Sequence, residues 1–198
     1  QVVAQAVFNL VAERVKQDPN AKINMLEVGA GTGATSAEIF SRLQEFEQNI
    51  AEYRYTDISK AFLLHAQTHY GPSHGYLDYA IVNLEQPYAQ SGLLAEHYDI
   101  VIATNVIHAT SDILASMNNV KGALKAGGTL YINEVCSRSI FTHLTFGLLD
   151  GWWLQRDPQL RLSGSPALSV AQWQTVFERM SFVSHVITDN VEANAMQS

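Results

Sequence analysis

Hydrophobic positions along this chain alternate between two periods. Val3, Val7, Leu10 and Val11 recur at helical spacing, which predicts an amphipathic helix over 2–17, closed by Asp18-Pro19-Asn20. The apolar run 23–28 is short and reads as a buried strand. Three glycines at alternate positions follow it. Thr35-x-x-Glu38 then has the spacing of a capping box, ahead of a helix face made by Ile39, Phe40, Leu43 and Phe46. Residues 53–56 predict a second strand, ending at Asp57. Ser59 is read as the cap of a helix that runs to Tyr70 and stops at Gly71.

The pattern continues in the second half. Residues 79–82 predict a third strand that runs into Asn83-Leu84-Glu85, then Pro87 and a short helix or loop to about Glu96. Residues 99–104 form a β-branched run, a fourth strand. Ser111 is read as the cap of a helix closing at Lys125-Ala126-Gly127-Gly128, and 129–135 as the fifth strand. A helix over 141–154, a loop over 156–166, a helix capped by Ser169-x-x-Gln172 to about Met180 and a strand at 182–188 complete the reading. Strands alternating with helices predict an α/β fold whose mostly parallel open sheet is covered by helices on both faces.

The glycine stretch carries the first candidate chemistry. A strand ending in Gly29, Gly31 and Gly33 brings bare backbone close to a bound molecule, and the next helix offers free N–H groups. Two cofactors compete for this corner. Gly29-x-Gly31-x-x-Ala34 satisfies the loose dinucleotide fingerprint, while Glu27-x-Gly29-x-Gly31-x-Gly33 resembles the first motif of class I methyltransferases that use S-adenosylmethionine (SAM). A glycine turn without a ligand is the third reading. Asp57, just past the second strand, is placed to accept from a ribose diol or to cap the helix beside Ser59. Asn83 has the corresponding choice between an adenine amino group and a plain turn.

His108 and Glu134 form the second candidate site. One lies a few residues past the fourth strand, the other at the end of the fifth; neighbouring strands about 4.8 Å apart would bring them together. A carboxylate on the far nitrogen orients an imidazole and supports the charge it gains, as a general base requires. The competing reading is a loop histidine and an unrelated edge glutamate. His65-x-x-x-His69 puts two imidazoles on one helical face without an evident third ligand, so no metal is expected. No serine stands in a nucleophile elbow and no lysine follows the glycine loop, which argues against a triad hydrolase and a P-loop enzyme. Trp152 and Trp153 cannot share one helical face, so one is read as core and the other as lining a substrate channel.

Composition narrows the partners. With 12 basic against 19 acidic residues the net charge is −7 and no Lys/Arg run occurs, so nucleic acid is not an expected partner. No apolar run is long enough to span a membrane. The single cysteine, Cys136, excludes an internal disulfide and fits a reducing, cytoplasmic setting. The opening Gln1-Val2-Val3, in mid-helix, reads as a piece cut from a longer polypeptide, with 1–198 forming one core domain.

With these residues in hand, the chain resembles the C-methyltransferase domain of modular polyketide synthases, class I SAM-dependent methyltransferases. The resemblance rests on LEVGAGTGATS (26–36), YTDIS (55–59), YDIVIATNVIHAT (98–110), LKAGGTLYINEV (124–135) and TFGLLDGWW (145–153). It implies a Rossmann-like sheet with SAM over Gly29, Gly31 and Gly33 and near Glu27, its ribose on Asp57 and its adenine near Ile58, Asn83 and Leu84. Asn105 is counted with these cofactor residues, and S-adenosylhomocysteine would be the product. The implied acceptor is the α-carbon of a β-ketoacyl thioester on an acyl carrier protein, within a synthase whose other domains are further partners. His108 would be the base and Glu134 its orienting group. Arg138, Arg156 and Arg161 are the expected basic patch for an acidic carrier. The resemblance also implies a trimmed core, lacking most of a helical lid and a final antiparallel strand, that binds SAM without efficient turnover. O- or N-methylation, and a non-catalytic spacer domain, are the alternatives.

Overall fold

The computed structural model of the chain describes residues 2–138, 144, 145, 148 and 153–183. These divide into two compact units, one of Gln1–Thr104 with Asn119–Asn133, the other of Asn105–Asn118 with Glu134–Ser198.

The first unit holds the sheet. Helix α1 (Val2–Gln17) precedes β1 (Ile23–Val28), α2 (Ala34–Arg42), β2 (Ile50–Asp57), α3 (Lys60–His69), β3 (Leu77–Ile81) and β4 (Tyr98–Thr104). Helix α4 (Ile113–Ala123) then leads directly into β5 (Leu124–Asn133). The strands lie in the order β3-β2-β1-β4-β5, and all four pairings are parallel. The order reverses direction after β3. Right-handed crossovers therefore put α2 and α3 on the same face of the sheet, a Rossmann-like α/β arrangement.

Near-continuous burial of β1 follows from cover on both faces. Val3, Val7 and Val11 of α1 and Ile39 and Phe40 of α2 pack with Met25, Tyr53, Ile100 and Ile102 of the sheet. The Phe40 ring meets Tyr53 edge-on with centroids 5.0 Å apart. Burying one such aromatic side chain stabilises the fold by about 2–3 kcal/mol.

Local signals misplace several ends. Helix α2 begins at Ala34 because Gly33, with φ 84°, turns the chain straight into it, and the Ala37 amide bonds to the Gly33 carbonyl. Thr35 thus lies inside the helix and forms no capping box. Ser59 stands at the start of α3 without capping through its side chain. Asp112, not Ser111, caps α4: its carboxylate accepts from the Ala115 amide at 2.9 Å. The expected stop at Lys125–Gly128 is instead an irregular stretch of β5. Glu96 and His97 amides bond to the last carbonyls of α4, so Tyr98 already pairs with Leu124, and the register shifts before Ile100 meets Thr129.

In the second unit, helix α5 (Val170–Arg179) has the expected box, with the Gln172 amide donating to Ser169 Oγ and the Gln172 side chain accepting from the Ser169 amide. Trp173 and Val176 are its buried positions, and Met180, which follows it, is buried too. Most of the strand expected at 182–188 and most of the helix expected at 141–154 lie outside the described residues. No helix among the described residues is long and apolar enough to cross a membrane.

Candidate active site

The glycine loop is tied to β2 at several points. Tyr55 donates its hydroxyl to the Gly31 carbonyl at 2.8 Å, and the Ala30 amide donates to the Thr56 carbonyl at 2.9 Å. Asp57 accepts from the Gly31 amide at 2.9 Å on one carboxylate oxygen and from the Ser59 amide at 2.8 Å on the other. The structure thus shows the Asp57 carboxylate holding the turn into α3 beside Ser59, and latching the glycine loop as well. Each oxygen keeps a further lone pair.

Gly29, Gly31 and Gly33 all have positive φ, at 60°, 59° and 84°. Their surroundings differ. A Cβ on Gly31 would meet no atom within 4 Å, whereas one on Gly33 would lie 2.8 Å from the Tyr70 ring. Gly33 is a packing glycine; Gly31 faces open space where a ligand can approach its backbone. Ile58, beside Asp57, leaves 69% of its surface exposed, an apolar patch suited to a planar base. An open glycine cradle after β1, with a carboxylate and an apolar patch at the end of the adjacent β2, fits an adenosyl group.

Glu27 lies beneath this loop, fully buried in β1. Its Oε2 accepts from Ser36 Oγ at 2.5 Å and from the Tyr53 hydroxyl at 2.6 Å. Burial pushes the carboxyl up to about 7 against the opposing pull of those two hydrogen bonds. Asn83 turns its amide oxygen to the Glu85 amide at 2.9 Å, the plain-turn arrangement, and Leu84 is buried.

In the second unit, Asn105 is exposed and takes φ 52°, a left-handed conformation that asparagine tolerates. A single turn, Ile107–Ala109, follows it. His108 Nδ1 bonds to Glu134 Oε2, while Glu134 Oε1 accepts from the Val106 amide at 3.0 Å and the Ile107 amide at 2.7 Å. The Glu134 side chain is 1% exposed and that of His108 9%. The expected pairing thus exists. Glutamate also holds the backbone of the histidine's own turn, which spacing did not foretell.

A buried ion pair supports the same turn. Arg161 Nε bonds to Asp157 Oδ1 at 2.5 Å, and its Nη1 and Nη2 donate to the carbonyls of His108 and Thr110, each at 2.6 Å. This overturns Arg161 as part of a surface basic patch, since its side chain is 1% exposed. Arg138 and Arg156 are exposed. The signal available for the pair was the opposite charges of Asp157 and Arg161 at an i,i+4 spacing, inside a stretch read as loop.

Trp153 is half-exposed and lines a cavity of about 390 Å³ with Pro158, Arg161, Leu162 and Ser165. Trp152 lies outside the described residues. His65 and His69 are exposed and stack on each other with ring centroids 4.3 Å apart. Among the described residues no three histidine, cysteine or acidic side chains gather as metal ligands would.

The methyltransferase-domain family model matches residues 26–130. Over 181 residues the chain is 48% identical to polyketide synthase PksR of Bacillus subtilis (strain 168), covering 91% of this chain and 7% of that protein. Among solved structures it is similar to the CurJ carbon methyltransferase, at 32% identity and TM-score 0.84, covering 95% of this chain and 49% of that one. It is also similar to the trans-methyltransferase CalH in complex with SAH, at 30% identity and TM-score 0.76, covering 87% of this chain and 47% of that one. The chain therefore spans less than half the length of each of these relatives.

Proposed function

Because this chain belongs to the class I SAM-dependent methyltransferases, as a homologue of the carbon-methyltransferase domains of polyketide synthases, we propose that it methylates the α-carbon of a β-ketoacyl thioester on an acyl carrier protein. The observation that carries the reading is the buried His108–Glu134 pair. A carbon acceptor must lose a proton before it becomes nucleophilic, and this pair is built to take one.

SAM, when bound, supplies a methyl group on a positively charged sulfur. Gly29, Gly31 and Gly33 would hold it through backbone, Asp57 through the ribose hydroxyls and Ile58 against the adenine. Glu134 accepts from Nδ1–H of His108, so the imidazole tautomer that results presents its basic lone pair at Nε2. At Nε2 the α-proton leaves the carbon flanked by two carbonyls, and the C–H electron pair becomes the enolate. Glu134 then stabilises the imidazolium. Bound SAM would supply its methyl group to that carbon, the electron pair of the S–C bond staying on sulfur. Positioning supplies much of the acceleration for two held reactants.

Two acceptors distinguish the reading: a β-ketoacyl carrier protein and a saturated acyl carrier protein of equal length, each given SAM with a labelled methyl group. The expected result is label on the α-carbon of the β-keto acceptor alone. Label on oxygen or nitrogen would replace this reading with heteroatom methylation, and no SAM binding with no transfer would favour a structural domain.

A further inference from the structure

We infer that Arg161 and Asp157 form a positioning clamp for His108, an inference that rests on the base assignment above. The guanidinium reaches the His108 and Thr110 carbonyls, each at 2.6 Å, and the Pro166 carbonyl at 2.9 Å. These acceptors lie within the turn that presents the imidazole, directly after it, and on the segment that follows Arg161. Asp157 holds Arg161 through one oxygen and accepts from the Ile113 amide, at the start of α4, through the other at 2.7 Å. The pair therefore connects the turn, the helix that follows it and the loop 158–166.

Burial makes the arrangement demanding. A charged pair this enclosed is stable only when nearly all its polar atoms are matched. Arg161 meets that condition by spending its guanidinium on backbone carbonyls, a use that fixes main-chain position. Glu134 fixes the same turn from its amide side, at Val106 and Ile107. The His108 backbone is thus held by a carboxylate on its N–H side and by a guanidinium on its carbonyl side. A lysine at 161 has one ammonium and no planar fork, so it cannot reproduce three carbonyl bonds with the carboxylate contact.

The test uses Arg161→Lys and the double variant Arg161→Met/Asp157→Asn, which leaves no unpaired buried charge and keeps an acceptor for Ile113. Wild type, both variants and His108→Ala are compared for kcat, for KM of SAM and for the imidazole Nδ1 proton resonance that His108→Ala removes. The clamp is supported if folded variants lose roughly 10- to 100-fold in kcat at unchanged KM for SAM. It further requires that they shift or broaden that resonance, and that they add no further loss in the His108→Ala background. Folded variants with an unchanged resonance and additive losses would overturn it. Failure of both variants to fold would also overturn it, making the pair a folding element. If wild type transfers no methyl group, the proposed reaction fails and the resonance alone decides the clamp.

Discussion

Two glutamates illustrate how placement divides labour between identical side chains. Glu134 spends one oxygen on two backbone amides and the other on His108. In Glu134→Gln the amide oxygen must stay with the Val106 and Ile107 amides, so the amide NH2 faces His108 Nδ1. The imidazole then takes the opposite tautomer, with its lone pair at Nδ1 instead of Nε2. We expect a fall of about 10²- to 10⁴-fold in kcat with SAM affinity retained, read by single-turnover methyl transfer and calorimetry. Glu27 instead lies under the glycine loop, where burial raises its carboxyl to about 7 from an ordinary 4.5. The folded state binds its proton more tightly than the unfolded chain does. Its contribution is fully present below about 4.5 and is lost as pH rises through about 7, amounting to about 3 kcal/mol. Glu27→Gln should flatten this part of the stability curve between those pH values. Parallel denaturation curves for wild type and variant across that range would contradict it.

At the scale of elements, the glycine loop separates binding from packing. Gly31→Ala meets open space and carries only the cost of a left-handed residue, about 1 kcal/mol. Gly33→Ala must also displace the Tyr70 ring. We expect Gly31→Ala to lower SAM affinity with modest loss of melting temperature, and Gly33→Ala to lower the melting temperature more. Calorimetry and thermal unfolding check both; the reverse ranking would contradict the assignment. The same loop shows where local pattern reading succeeds. The three glycines mark positive φ because only glycine adopts it cheaply, and the Ser169-x-x-Gln172 box is self-contained within four residues. The start of α2, the cap of α4 and the first residues of β5 were misplaced because each is decided by partners elsewhere. Asp112 outcompetes Ser111 at the helix start, and the amides of Glu96 and His97 take the last carbonyls of α4, directly ahead of β5. Arg161 was read as surface because nothing local to a charged residue announces three backbone carbonyls waiting around it.

For the whole molecule, strand order explains which of the legible residues become neighbours. In a sheet ordered β3-β2-β1-β4-β5, the first two strands adjoin at the reversal with β4, so Gly31 and Asp57 become hydrogen-bonded neighbours. Strands β4 and β5 also adjoin in parallel, pairing Thr104 with Asn133, the residue immediately before Glu134. Alternation of strands and helices made the parallel sheet readable, though not its strand order. The Asp57 carboxylate as a double backbone acceptor was not, since sequence carries no sign of which groups a side chain meets first. Family membership supplies the methyl donor class, and the His108–Glu134 pair supplies the reason to expect a carbon acceptor. That claim is tested most directly by transfer of a labelled methyl group from SAM to a β-ketoacyl carrier protein, wild type beside His108→Ala, with SAM binding measured for both. Label on the α-carbon from wild type alone, with equal SAM binding, is the expected result. Near-equal transfer by His108→Ala would contradict the account, because the acceptor would then need no base at this position.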